Sequence, residues 1–148
     1  NYDGPGAALN HIYSYPRLNA PASVSNPSSL LYFDQSVYNI NNLVGLNTTG
    51  YIYIPEPCMT GSCKLHISLH GCSVNNYYEE AVHELSFNKW AETNRMVILY
   101  PRMADHGKTT QELIGCWDSY GQTGPDYDTK NGIQMKAIRQ MIKRVAGI

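Results

Sequence analysis

The chain has 148 residues, enough to bury the core of one domain. Its 43% apolar and 16% charged content excludes an intrinsically disordered protein. The formal net charge of −1 gives no electrostatic reason for binding nucleic acid or an anionic membrane, and the apolar runs are too short to cross a bilayer.

The N-terminal part of the chain predicts a short helix and two strands. Residues 1–16 begin with a turn and continue with apolar residues at helical spacing, and residues 19–29 (NAPASVSNPSS) predict a linker-like loop. Residues 30–35 (LLYFDQ) predict a strand, and residues 51–54 (YIYI) predict a second strand that the following prolines end. We expect these two strands to form a meander at one edge of a sheet.

The middle of the chain predicts a third strand, a helix and a fourth strand. Leu65, Ile67 and Leu69 alternate with polar residues, as in a half-buried strand. Residues 77–94 carry an interrupted helical pattern. Residues 96–100 (MVILY) are a continuous apolar run closed by proline, which is typical of a buried parallel strand.

The remainder predicts a long loop at 102–130 and an amphipathic helix after Asn131 and Gly132. The apolar face of that helix holds Ile133, Ala137, Ile138, Met141, Ile142 and Val145. The order strand, strand, strand, helix, strand, helix is typical of an α/β protein. We therefore expect residues 1–148 to form one α/β domain with about four strands in a mixed sheet, a parallel core and helices on both faces.

The four cysteines predict disulfide bonds. Their number is even and no Cys-x-x-Cys pair occurs, which favours disulfides over a zinc site and favours an extracellular location. Cys58 and Cys63 enclose a tight loop, whereas Cys72 and Cys116 lie beside turns and are candidates for a long-range pair. The sequence leaves all three connectivities open. Asn47 begins an Asn-Thr-Thr sequon and is a candidate glycosylation site in a eukaryotic host.

The sequence contains no pattern for a complete serine-hydrolase site or a metal site. No serine lies in a Gly-x-Ser-x-Gly elbow, and a pair of Ser73 with His70 or His106 is only a weak alternative. His66 and His70 would lie about 13 Å apart on a strand, which is too far for one metal ion. We therefore expect neither a metal nor another cofactor.

The segment His70-Gly71-Cys72 ends the third strand. A glycine lets the backbone approach a ligand closely, and the N–H of the next residue can then donate to an oxyanion. The alternative is a turn whose cysteine only closes a disulfide. Both can hold at once, because a disulfide would also fix that N–H in place.

Residues 115–120 (GCWDSY) bring aromatic side chains into the long loop. Two interpretations are open: Trp117 packs against a disulfide, or Trp117 and Tyr120 line the rim of an apolar substrate cleft. The second follows from the tendency of loops at the carboxyl ends of strands to bind ligands. We expect Asp118 to hydrogen-bond the loop and not to act as an acid.

Seven stretches of the sequence together resemble the extracellular polyhydroxybutyrate depolymerases, an esterase family with a circularly permuted α/β-hydrolase fold. In the family's order, they are NYDGPGAALNHIY, LLYFDQS, GYIYIPEPC, SCKLHISLHGC, FNKWAETNRMVILYP, GCWDSYG and DYDTKNGIQMKAI, and they cover nearly the whole chain. Two departures concern the substrate more than the fold. Ser119 and Tyr120 stand where the family usually has two aromatic residues, and Ser73 and Val74 stand where a Lys or Gln pair is usual.

The resemblance implies that this chain is the C-terminal half of a secreted serine esterase, and therefore one partial hydrolase domain. In the family the serine, the acid and the histidine precede this segment, so His11 is not the catalytic histidine. The Cys72 N–H would be one of two oxyanion donors. Residues implied at the ester or polyester substrate are His70, Gly71, Trp117 and Tyr120, and the implied disulfides are Cys58–Cys63 and Cys72–Cys116.

The resemblance also implies a missing neighbour for the third strand. In the hydrolase fold that strand pairs on its second side with the strand that bears the nucleophile, so residues 64–70 would otherwise form an open edge. We expect a companion chain that carries the N-terminal half to pair along residues 64–70, and we expect this chain alone to be inactive. The alternative is a non-catalytic binding or structural protein that keeps a hydrolase scaffold without the triad.

Overall fold

The computed structural model describes residues 2–105 and 114–148. The chain divides into two compact units. The first comprises the residues up to Tyr32 together with Tyr51–Ser68 and Glu79–Tyr100, and the second comprises Phe33–Gly50, Leu69–Tyr78 and Pro101–Ile148.

A four-stranded sheet is the centre of the architecture. Its strands are β1 (Leu30–Asp34), β2 (Thr49–Tyr53), β3 (Lys64–Ile67) and β4 (Met96–Tyr100), in the order β1-β2-β4-β3. β2 pairs antiparallel with β4, and β3 pairs parallel with β4. The sheet is therefore mixed, which confirms the predicted α/β class, and β1 and β2 lie together at one side as predicted.

β4 is the buried centre of the first unit. All five of its residues are at most 8% exposed, as expected for a continuous apolar strand with neighbours on both sides. β3 is shorter than its alternating pattern predicts, because it ends at Ile67 and Leu69 is 54% exposed.

Two helices of the first unit are tied together by one aspartate. Asp3 caps α1 (Gly4–Ile12) by accepting a hydrogen bond from the Gly6 N–H at 2.9 Å. Its second carboxylate oxygen accepts from Trp90 Nε1 at 2.8 Å, and Trp90 lies on α3 (Phe87–Asn94). Gly6 allows this close approach, since a Cβ there would come within 2.6 Å of the Trp90 ring.

The interrupted pattern at 77–94 forms two helices, α2 (Tyr78–Glu84) and α3. Asn88 explains why the break is stable. Its side-chain amide donates to the Val82 carbonyl at 2.7 Å, which satisfies a group that a continuous helix would have satisfied. The Tyr100 hydroxyl donates to Asn88 Oδ1 at 2.7 Å, so a buried polar link also joins α3 to β4.

Two buried glutamines organise the second unit. Gln134 lies on the C-terminal helix α4 (Ile133–Ala146), donates to the Val44 carbonyl at 3.0 Å and accepts from the Asp118 N–H at 2.9 Å. Gln35 donates to the Asn47 and Arg102 carbonyls, both at 2.9 Å. These side chains satisfy backbone groups of segments that are far apart in sequence.

The loop predictions have mixed outcomes. Residues 19–29 contain only a 3-10 turn at Pro27–Ser29, but Asn19 and Ala22 donate backbone hydrogen bonds to α3. The loop predicted at 102–130 is formed by turns over the residues that the structure describes, and its part at 106–113 lies outside them. No described helix has the length and apolar character needed to cross a membrane.

Candidate functional site

The loop that follows β3 is fixed by His70. The His70 Nε2 atom accepts a hydrogen bond from the Met103 N–H at 3.0 Å, and Nδ1 lies 2.7 Å from the Gly71 carbonyl oxygen. The ring contacts Tyr78 edge to face at a centroid distance of 5.1 Å and Trp117 at 5.8 Å. Both ring nitrogens therefore have a backbone neighbour, and two aromatic rings contact the imidazole.

The surroundings of His70 favour its neutral form. Burial lowers the pKa of His70 and outweighs the bond to the Gly71 carbonyl, which raises it, and the Arg102 charge adds a smaller lowering effect. A pair between His70 and the Ser73 hydroxyl is not formed, because the two ring nitrogens bond Met103 and Gly71 instead. The other candidate base, His106, lies outside the described residues.

The groups around the peptide that joins Gly71 to Cys72 are bonded, whereas its own N–H has no described acceptor. The Gly71 carbonyl bonds His70, the Cys72 sulfur bonds Cys116, and the next N–H, that of Ser73, donates to the Ile114 carbonyl at 2.6 Å. Among the described residues no acceptor bonds the Cys72 N–H. Within the described part of the chain, this loop therefore holds one backbone donor without an acceptor, between groups that are bonded.

The structure forms the two disulfides that the resemblance implies. Cys58 bonds Cys63 and Cys72 bonds Cys116. The first closes a local loop in the first unit, and the second joins the loop after β3 to the segment that holds Trp117.

Trp117 and Tyr120 are brought to the surface of the second unit by a loop that Asp118 organises. The Asp118 carboxylate accepts from the backbone N–H groups of Tyr120, Gly121, Gln122 and Thr123 and from the Thr123 hydroxyl. Tyr120 is 73% exposed, whereas Trp117 is partly buried against His70. Asp118 is thus a loop-forming residue, as predicted.

The pKa of Asp118 reflects these hydrogen bonds. Partial burial raises its pKa, but the bonds from the Thr123 side chain and from the backbone N–H groups outweigh that effect and hold the pKa below its usual range. A carboxylate in this state stays charged near neutral pH and has no proton to supply as an acid.

The remaining candidates lie outside this loop system. His66 packs against Phe87 and Tyr13 in the first unit, and burial lowers its pKa. Asn47 is partly exposed and its Oδ1 accepts from the Thr49 N–H, so glycosylation stays a prediction. Within the described residues, no cluster of three or more His, Cys, Asp or Glu side chains has the spacing to hold a metal ion.

The sequence did not indicate the roles of Tyr78, Arg102 and Met103. Tyr78 packs on His70 and donates to the Pro101 carbonyl at 3.0 Å, and the Arg102 guanidinium lies 5.1 Å from the centre of the Tyr78 ring. Met103 contributes only its backbone N–H. Such contacts leave no periodic or motif signal, because they depend on segments that meet only in the folded chain.

The described strands form a mixed α/β sheet, and the loop that contains Gly71 and Cys72 follows β3. In α/β-hydrolases the loop at the corresponding place donates a backbone N–H to the oxyanion, so this arrangement is compatible with that fold. No protein-family model matches the chain. Comparison with individual proteins does find similar sequences and structures.

The chain is similar to polyhydroxybutyrate (PHB) depolymerases over nearly its whole length. It is 39% identical over 98% of its length to a polyhydroxybutyrate depolymerase of Talaromyces funiculosus, and 38% identical over 99% to a poly(3-hydroxybutyrate) depolymerase of Delftia acidovorans. The crystal structure of a PHB depolymerase from Penicillium funiculosum matches the entire chain with a TM-score of 0.85 and 39% identity. A PHB depolymerase variant complexed with a 3-hydroxybutyrate trimer matches with a TM-score of 0.84 and 40% identity.

These relatives are longer than the chain. It spans 45% of the Talaromyces protein, 29% of the Delftia protein and 49% of each solved chain. The similarity therefore covers this chain fully and each relative in part.

Proposed function

We propose that residues 1–148 are one partial hydrolase domain of a secreted serine esterase that acts on a polyester such as PHB. The similarity to depolymerases at 38–40% identity supports this proposal, and the two disulfides suit an oxidising, extracellular compartment. The sequence holds no serine elbow, so the serine, the acid and the histidine are assigned to an N-terminal part outside these residues.

The role of this chain in the reaction is to hold the oxyanion. The observation that carries this assignment is the Cys72 N–H, which has no acceptor among the described residues while the groups around it are bonded; Cys72 itself is an exposed residue. A backbone donor that is already fixed costs no reorganisation when charge develops on the substrate oxygen. One such donor is worth about 10²–10³ in kcat.

The reaction is acyl transfer. The serine hydroxyl loses its proton to the histidine and attacks the ester carbonyl, whose electron pair moves to the oxygen next to the Cys72 N–H. The intermediate then expels the alcohol, which takes the proton from the histidine. Water repeats the sequence on the acyl-enzyme and releases the acid.

The aromatic residues near this loop are assigned to the substrate. Tyr120 is 73% exposed and Trp117 is partly exposed in the loop that Asp118 organises. Gly71 has open space with respect to the described residues, since a Cβ there would meet none of their atoms within 4 Å. An apolar polyester chain needs such aromatic contacts and close access to the backbone.

A companion N-terminal part is assigned to the free side of β3. The Lys64 and Ser68 N–H groups donate to the Arg95 and Leu99 carbonyls at 3.0 and 2.9 Å, on the side of β4. The alternate residues Leu65 and Ile67 therefore turn their backbone groups the other way. On that side the described contact is the Tyr13 hydroxyl, 3.4 Å from the Leu65 carbonyl, and no described strand pairs there. An added strand would satisfy these groups.

Fluorophosphonate labelling with intact-mass measurement tests the function. Purified material that contains the N-terminal part should gain one phosphonyl group, located on that part, and should hydrolyse 3-hydroxybutyrate oligomers. This chain expressed alone should gain none. Material that contains the N-terminal part but is neither labelled nor active would contradict the esterase.

The alternative of a non-catalytic binding protein predicts a different result from the same samples. The unusual Ser119 and Tyr120 pair and the exposure of Tyr120 favour it. It would be supported by polyester binding from this chain alone, with no labelled polypeptide and no companion in the natural material.

A further inference from the structure

We infer that His70 is a positioning residue whose Nδ1–H holds the Gly71 carbonyl oxygen and thereby sets the direction of the Cys72 N–H. This inference rests on the proposed oxyanion role of Cys72. It gives His70 a function through the backbone and not through contact with the substrate.

The first step is the tautomer of His70. A backbone N–H can only donate, so the Nε2 atom that meets the Met103 N–H at 3.0 Å must be an acceptor and carries no proton. In a neutral imidazole the proton is then on Nδ1. Nδ1 lies 2.7 Å from the Gly71 carbonyl oxygen, which is an acceptor, so the two bonds require the same tautomer.

The second step is the geometry of the peptide. The Gly71 carbonyl and the Cys72 N–H belong to one planar trans peptide group, in which the two bonds point in opposite directions. A hydrogen bond that fixes the carbonyl therefore fixes the N–H as well. Glycine at position 71 makes this restraint more important, because without a Cβ the backbone has more conformational freedom.

The third step is the anchoring of the imidazole itself. The ring is packed by Tyr78 and Trp117, and the Tyr78 hydroxyl is in turn bonded to the Pro101 carbonyl at 3.0 Å. Among the described residues, the charged group beside these rings is Arg102, whose guanidinium lies 5.1 Å from the centre of the Tyr78 ring. Burial and the Arg102 charge both lower the His70 pKa, so the neutral ring persists below the pH at which an exposed histidine would be charged.

Two isosteric variants in the complete protein separate the two bonds. His70→Asn can place an amide N–H where Nδ1 is and so keep the bond to the Gly71 carbonyl. His70→Gln can place an amide oxygen where Nε2 is and so keep only the bond to the Met103 N–H. If His70 had only a structural role, the two variants would lose activity equally, or His70→Gln would lose less than His70→Asn.

We expect His70→Gln to lower kcat about tenfold to a hundredfold, with KM within about twofold of the wild-type value. We expect His70→Asn to recover most of the lost kcat. A second readout does not depend on activity. The ¹⁵N order parameter of the Cys72 amide should be about 0.85 in the wild type and in His70→Asn, and it should fall below about 0.7 in His70→Gln. ¹⁵N shifts of the His70 ring should report the Nδ1–H tautomer.

The outcomes distinguish the two levels of the proposal. An Nε2–H tautomer, or equal order parameters in both variants, would overturn the positioning role whether or not the protein is an esterase. The predicted tautomer and order parameters in a protein that is never labelled by a fluorophosphonate would support the positioning and overturn the proposed function.

Discussion

No atom of the described residues lies where a Gly71 side chain would stand, and the φ angle of Gly71 lies outside the left-handed region, so alanine fits there without backbone strain. The open space adjoins the peptide whose N–H is assigned to the oxyanion. We expect Gly71→Ala to leave the Tm within about 2 °C, because no neighbour must move. We expect kcat/KM for an oligomeric ester to fall about tenfold, because a methyl group would displace the reacting carbonyl.

The control for this prediction is Gly4→Ala. A Cβ at Gly4 meets only Tyr2 at 4.0 Å, also at an allowed φ, and Gly4 lies in α1 of the other unit. Equal kcat/KM values for the two alanine variants would argue that the space beside Gly71 is not used by the substrate.

Asp118 carries the loop that presents Tyr120. We expect Asp118→Asn to lower the free energy of unfolding by about 1–2 kcal/mol, since hydrogen bonds to a carboxylate weaken when its charge is removed and partial exposure limits the effect. The matched control is Asp126→Asn, which replaces an exposed carboxylate with no side-chain hydrogen bond among those described. Urea unfolding at neutral pH measures both changes.

The same carboxylate predicts a pH dependence. The folded pKa of Asp118 is below its unfolded value of about 3.9, so the stabilisation is present above about pH 4 and is lost as pH falls through the folded pKa. The difference between the wild type and Asp118→Asn should therefore shrink in that acidic range. A difference that grows on acidification would show that Asp118 does not act through its charged form.

At the scale of elements, β3 is the strand whose second side is assigned to a partner. Ile67→Pro removes an N–H that faces away from β4, a position at which an edge strand tolerates proline. Ile67→Ala keeps the N–H and removes more of the side chain than Ile67→Pro does, so a larger effect of proline would not come from lost side-chain contacts. We expect Ile67→Pro to weaken binding of the N-terminal part about tenfold more than Ile67→Ala, measured by calorimetry with separately expressed parts. Equal affinities would argue against pairing along residues 64–70.

Periodicity predicted most of the elements. The alternation in β2, the apolar run of β4 and the amphipathic face of α4 each follow from which sides of an element are buried, and that information is local. The break between α2 and α3 was less defined, because it depends on Asn88 bonding the Val82 carbonyl and the Tyr100 hydroxyl. The early end of β3 likewise had no local signal.

The contacts of the candidate site were predictable only in part, for the same reason. The sequence and its resemblance indicated His70, Gly71, Cys72, Trp117 and Tyr120 as candidate site residues, which stays a prediction, but they did not indicate the tautomer of His70. The tautomer is set by the Met103 N–H, 33 residues away, and the ring is packed by Tyr78 and Trp117. Local sequence patterns do not predict such a bond, because it forms only when distant segments meet in the folded chain.

At the scale of the whole molecule, we propose that this chain is one part of an enzyme. The chain is matched fully by depolymerase structures that are about twice its length, and it carries a fixed backbone donor without a nucleophile in its own sequence. Its proposed contribution is therefore the oxyanion donor and part of the substrate surface. The N-terminal part would supply the groups that form and break bonds.

The most direct test is a crystal structure of the complete protein with its serine phosphonylated by a fluorophosphonate, whose phosphonyl oxygen mimics the oxyanion. If Cys72 donates to the oxyanion as proposed, this oxygen lies about 2.7–3.1 Å from the Cys72 nitrogen, with His70 Nδ1 still bonded to the Gly71 carbonyl. A phosphonyl oxygen held by other donors, with the Cys72 N–H turned away from it, would contradict the central claim.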